Sequence, residues 1–314
     1  MAIVFTLLSM LMTCVSDLFE KKSVESSTED AMKTLVWYGI FNALFLCAAL
    51  SFGMDETSLL PHELLYSSPA VILSPIFNYL CLLFALVAYK YLGVSVRNTI
   101  VNIDGLFFII LLVAFHMMTG MAQYAARLFD RLTIIGLILI IGAGMIYPNI
   151  NGAEEKVSVE YTAESSKKTK GIVVIGIVIS VISAFFDGAE SMVSSVLIGD
   201  DVVDSIDFIS AVAFIQVIAS FLVWIYLWLK NKKPYNPFRK TEKNRFIGQG
   251  CGLLSDLFYV FALTDDAFLG IILWNAFPVL DIAAARIFMK EKLTALQYLV
   301  LIIIIIGAVL VSLS

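Results

Sequence analysis

The 314 residues are 60% hydrophobic and only 15% charged, with a mean hydropathy of +0.91, whereas soluble domains carry about a quarter charged residues. That balance excludes a chain solvated by water alone. A net charge of −5, with no basic patch interleaved with aromatics, argues against a nucleic-acid partner.

Apolar runs bounded by charged and turn residues predict transmembrane helices near 2–19, 33–53, 69–90, 94–116, 131–148, 171–197, 206–229, 246–263, 267–289 and 295–313, each near the ~20 residues that span a bilayer. The first run could pass for the core of a signal peptide, but no basic segment precedes it. The four cysteines, Cys14, Cys47, Cys81 and Cys251, stand inside apolar runs without paired spacing, which gives no support to a disulfide framework or a metal site. A polar stretch at 149–170, rich in Glu, Ser and Lys, divides the spans five and five. The expected organisation is a first unit at 1–148, a linker at 149–170 and a second unit at 171–314.

Ser16, Phe19 and Glu20 in the first span are echoed by Ser183, Phe186 and Asp187 in the sixth, at one constant offset. Gly142 to Ile146, closing the fifth span, resembles Gly307 to Val311 in the tenth. Five spans per unit is an odd number, so the second copy enters the membrane from the opposite side. The predicted fold class is an all-α membrane protein of ten transmembrane helices built as two inverted five-helix repeats, an arrangement that places a transported solute near the midplane between the halves. Lysines and arginines crowd the loops after odd-numbered spans, opposed only by Arg127 and Arg131, so the positive-inside rule puts both termini outside the cytoplasm.

A charged group at the bilayer centre costs about 2.5–3.5 kcal/mol on insertion scales and normally faces a wet or polar interior. Four carboxylates fall deep inside predicted spans: Asp104, Asp187 with Glu190 one turn on, Asp256 and Asp281. One reading makes them cation ligands or proton carriers; the other makes them structural, with Arg97 available to Asp104 and Arg286 to Asp281. Asp17 and Glu20 rank lower, because they adjoin Lys21 and Lys22 near an expected interface where charge is inexpensive. In the ninth span Pro278 removes a backbone hydrogen bond, and a bend there is needed for Asn275 and Asp281 to line one cavity. Asn98 and Asn102 precede Asp104; they suit either a solute site or hydrogen bonding between helices. Of the aromatics, Trp274 and Tyr259 are candidates for a solute-stacking wall. Trp37, Tyr38, Tyr89 and Trp224 read as interface anchors, His116 as interfacial, and the Gly142 and Gly144 pair as room for close helix contact.

The stretch Asn275-Ala276-Phe277-Pro278-Val279, then Met289-Lys290-Glu291-Lys292-Leu293-Thr294, then Gln297 and Gly307 resembles the ten-helix members of the drug/metabolite transporter superfamily, which also includes nucleotide-sugar carriers. The end of the first span, Phe19-Glu20-Lys21-Lys22, is similar as well. The first unit departs from the pattern, with Met118-Thr119-Gly120-Met121 where an acidic residue is expected and no proline in the fourth span. The family usually keeps both termini in the cytoplasm, against the loop charges of this chain. The resemblance implies a secondary transporter working by alternating access, with no enzymatic activity and no cofactor. Its partners are a small-molecule solute and the lipid bilayer, and a homodimer is left open. The excess of intramembrane acids favours a cationic or zwitterionic solute or proton coupling. A sugar or nucleotide-sugar carrier of the same fold is the alternative, and a membrane-embedded enzyme using paired acids is the rival from another class.

Overall fold

A computed structural model describes residues 1–24, 28–51, 69–92, 97, 100, 103–119, 130–151, 163–199, 203, 205–274, 277, 280 and 295–312. Its elements are helices: α1 (Ala2–Ser23), α2 (Thr28–Ser51), a 3₁₀ turn (Pro69–Ile72) leading into α3 (Leu73–Ala88), α4 (Asp104–Thr119), α5 (Arg131–Asn151), α6 (Ala163–Gly199), α7 (Ser205–Asn231), α8 (Lys243–Trp274) and α9 (Ala295–Ser312). Six of the described segments are long and apolar enough to cross a membrane, and shorter apolar helices cover 104–119, 131–140 and 298–307.

Their faces are sorted as a bilayer demands. Leu229, Ile138, Ile302 and Leu222 lie exposed on the outside, where lipid tails would meet them, while Ser9, Ser183, Ser194, Asn42 and Gln216 are buried within. Lipid provides no apolar driving force between helices, so small residues that permit close approach, and polar groups that bond across, hold the bundle together. Gly307 on α9 illustrates the first device: a Cβ there would stand 2.7 Å from the Gly136 carbonyl and 2.8 Å from Ile140 on α5. Gly142 does not. No described atom lies within 4 Å of a Cβ built on it, so Gly142→Ala is expected to raise thermal stability by up to about 1 kcal/mol through helix propensity. A melting temperature below that of the parent would show that the position is packed.

One boundary differs from the sequence expectation and one agrees with it. α6 starts at Ala163, so the end of the predicted polar linker is helical; Lys167, Lys168 and Lys170 are good helix formers that extend an established helix at little cost. α8 takes in the eighth predicted span and the start of the ninth, with a break at Asp266 (φ −157°, ψ 96°) that falls in the expected gap between them. The Asp266 carboxylate accepts the Leu269 N–H at 3.0 Å, the geometry of an N-cap that starts a new helix.

The principal helix pairs join the two halves of the chain: α1 packs on α8, α3 on α6, α2 on α7 and α5 on α9, with α4 also against α6. Ser16 on α1 donates to the Gly248 carbonyl of α8 at 2.8 Å. Ser183 on α6 donates to the Cys81 carbonyl of α3 at 3.0 Å. Ser16 and Ser183 are separated in sequence by the same interval as Cys81 and Gly248.

Candidate functional site

A cavity of about 220 Å³ lies where α1, α2, α3, α6, α7 and α8 converge. Its wall carries Asp17 and Glu20 from α1, Asp104 from the first turn of α4, Asp187 and Glu190 from α6, and Asp256 from α8; the base among the described lining residues is Arg97. Carboxylates at such depth are tolerated because they share one polar interior in place of lipid. Asp104, Asp187, Asp256, Tyr259 and Trp274 all lie in this wall. Asn102, Asn275 and Asp281, with Asn98 and Arg286, fall outside the described residues.

Each acid has its own support. Asp256 accepts the Tyr38 hydroxyl at 2.8 Å, and the same hydroxyl stands 3.2 Å from Asn78 Oδ1. One proton cannot serve both, and the shorter contact to a carboxylate is the stronger. Gln216 Nε2 satisfies Asn78 Oδ1 at 3.0 Å, so one bond ties α2 to α8 and another ties α3 to α7. Glu190 Oε1 takes hydroxyl donors from Ser74 at 2.9 Å and Ser194 at 2.5 Å. Asp104 heads α4, where the unpaired N–H groups of the first turn favour negative charge, yet its buried Oδ1 has no hydrogen-bond partner among the described residues. Tyr259, Trp274 and Phe277 form an aromatic wall, with ring centroids 5.2 Å apart in the first pair and 5.5 Å in the second, the latter pair nearly parallel at 5°.

Several of these roles depart from the sequence reading. Asp17 and Glu20 are not interfacial; they are 6% and 4% exposed. Lys21 turns away from them and donates to the Tyr89 and Leu92 carbonyls, while Arg97 comes in to pair with Asp17 at 3.8 Å and lies 4.8 Å over the Tyr89 ring. Glu20 is held by Ser16 at 3.1 Å and by Gln249. Tyr38 and Tyr89 are buried and not membrane-surface anchors. The echo of Glu20 in Asp187 was the available sign that both line one cavity.

One helical turn beyond Gln249, at the lysine-rich end of the bundle, Arg245 is buried between the halves. It donates to Glu242 at 2.5 Å, Asp30 at 3.1 Å, the Ser23 carbonyl at 2.7 Å and Thr34 at 3.3 Å. Tyr235 adds a bond to Glu242 at 2.6 Å; burial and that carboxylate push the phenol well above its ordinary pKa, so it stays a donor.

This is a polar, acid-rich cavity shared by both halves of an apolar bundle. Residues 173–313 match the sequence model of the EamA-like transporter family. The resemblance to the drug/metabolite transporter superfamily holds. The matched region takes in all of α7, α8 and α9 and nearly all of the apolar part of α6, and together with the six apolar helices it supports a multi-pass membrane protein. No curated protein matches the sequence. Among solved structures, a crystal structure described only as that of a protein is 15% identical, with 99% of this chain and 96% of that one covered and a TM-score of 0.65. At that identity the likeness establishes a shared fold alone.

Proposed function

We propose that this EamA-like protein is a secondary transporter that carries a small polar solute, cationic or zwitterionic in preference to polyanionic, by alternating access. The observation that carries the reading is the cavity itself: among the described residues, six carboxylates and one guanidinium, contributed by both halves of the chain, at the junction between them. A polyanion would meet repulsion there, whereas a cation or a proton relieves the charge that burial makes costly.

Two five-helix units, 1–148 and 171–314, related by inversion give the mechanism its form. Exchange of the units converts the α1–α8 pair into the α6–α3 pair and returns α2–α7 and α5–α9 to themselves, which is the pairing found. The matched bonds of Ser16 and Ser183 obey the same exchange, and the family match spans one expected unit. These observations support a ten-helix inverted repeat. No nucleotide-hydrolysing motif is apparent in the sequence, so an ion gradient or counter-solute supplies the drive. The loop charges put both termini outside the cytoplasm, a placement that tag accessibility in intact cells checks.

Reconstituted vesicles test the function. An amino acid, amine or sugar that stabilises the purified protein against heat is expected to accumulate, chemically unchanged, under an imposed proton or sodium gradient. Asp187→Asn and Asp104→Asn are expected to slow initial uptake by about tenfold or more, the loss of one charge-assisted contact. Uptake that is unaffected by either substitution removes these acids from the site; ligand conversion in place of movement replaces the transporter with an enzyme.

A further inference from the structure

We propose that the region of the cavity between Glu190, Asp256 and the Tyr259, Trp274 and Phe277 rings is a subsite for an organic ammonium group on an apolar body. The inference rests on the transporter reading and narrows its solute to amines.

Two carboxylates of the wall keep an oxygen that no described donor uses. Glu190 uses Oε1 for both of its hydroxyl partners, Ser74 and Ser194, and Asp256 uses Oδ2 for Tyr38. Each has its second oxygen left over among the described residues, in the lining of one cavity. Asp104 adds an acceptor that is buried, 4% exposed, and unpartnered among the described residues. The donors that hold Glu190 and Asp256 are neutral hydroxyls, and the Arg97 guanidinium stands with Asp17 and the Tyr89 ring. What such a wall lacks is a compact positive group with several N–H donors, which describes an ammonium.

The aromatic face decides between an organic and an inorganic cation. A bare metal ion needs a dense set of oxygen ligands, and among the described residues no group of three or more metal-ligating side chains is assembled. Tyr259 and Trp274 in the lining are rings of the kind that attract a cation, and Val260, Phe208, Ile209 and Val212 complete an apolar surface in the same lining. A neutral polyol also stacks on rings, but a carboxylate oxygen bonds a charged N–H donor roughly twice as strongly as a neutral hydroxyl, so the unused oxygens of Glu190 and Asp256 favour the ammonium.

Three probes of one shape separate these cases: benzylamine, benzyl alcohol and benzoate, titrated calorimetrically into the purified full-length protein. Benzylamine is expected to bind at least about tenfold more tightly than the alcohol, with benzoate weakest. Glu190→Gln, of nearly unchanged volume, is expected to erase the preference for the amine while leaving the unliganded melting temperature near that of the parent; Asp256→Asn serves if that variant does not fold. Trp274→Leu is expected to weaken benzylamine and benzyl alcohol together. Equal binding of amine and alcohol, an amine preference that survives both acid substitutions, or no binding of benzylamine overturns the subsite. Labelled benzylamine in vesicles separates the two levels of inference. Amine-selective binding without gradient-driven movement keeps the subsite and removes the transporter, whereas movement of a non-amine solute without amine preference keeps the transporter and removes the subsite.

Discussion

Arg245→Met lowers the stability of the protein by about 3–5 kcal/mol, the range for breaking a buried ion pair from one side, and admits water to the cavity from the lysine-rich end. The magnitude follows from what the substitution leaves behind. Glu242 and Asp30 are both largely buried and lose the cation between them, and the Ser23 carbonyl and Thr34 hydroxyl lose their shared donor. Arg245→Lys keeps the charge but not the planar fork that reaches four acceptors at once, so it recovers only part of the loss. The second effect follows from position. The cluster ties the end of α1 and the start of α2 to the start of α8, one turn outside Gln249 in the cavity wall. Thermal unfolding reads the first effect. Maleimide labelling of a cysteine placed at Gln249, in a chain otherwise free of cysteine, reads the second, and is expected to be faster in Arg245→Met than in the parent. A stability change within about 0.5 kcal/mol, the size of an ordinary surface substitution, together with unchanged labelling would show that the cluster closes nothing.

Six apolar helices of the described chain were legible because burial in lipid leaves a one-dimensional trace: runs of apolar residues about 20 long, punctuated by charge. The break at Asp266 was visible too, as a pair of aspartates between two apolar runs, although the sequence did not reveal how short a turn Asp266 makes possible by capping the helix it begins. The site was only partly legible, for a reason of geometry. Hydropathy reports depth and says little about which face of a helix a residue occupies. Glu20 was set aside because Lys21 follows it, and the fact that Lys21 reaches to α3 instead is a tertiary contact with no local signature. Glu190 lies on the same helical face as Asp187, three residues on, so its place in the wall could be read from that spacing. Asn78 and Gln216 could not be read this way, because amides inside spans serve helix association as readily as solute binding.

Packing and chemistry meet at Gly188, and substitutions can separate them. A Cβ on Gly188 would stand 2.5 Å from the Asp104 carbonyl, 2.8 Å from the Phe107 Cβ and 2.8 Å from the Phe108 nitrogen. Two of these are backbone atoms of the first turn of α4, which no rotamer change can move aside. Ordinary contact needs 3.4 Å or more, so α4 must retreat by about an ångström in an interior packed as densely as a crystal. Gly188→Ala is therefore expected to cost about 1–3 kcal/mol as overpacking. It is also expected to carry Asp104 out of register with Asp187 and to lower transport by more than the loss of folded protein explains. Gly307→Ala is the control, because it meets a backbone carbonyl at a similar 2.7 Å but lies on the α5–α9 pair, which contributes nothing to the described cavity wall. The control is expected to lose comparable stability and to keep its transport per folded molecule. If Gly188→Ala behaves like Gly307→Ala, the placement of Asp104 at the head of α4 is a matter of folding alone, and the solute is held by the acids of α6 and α8.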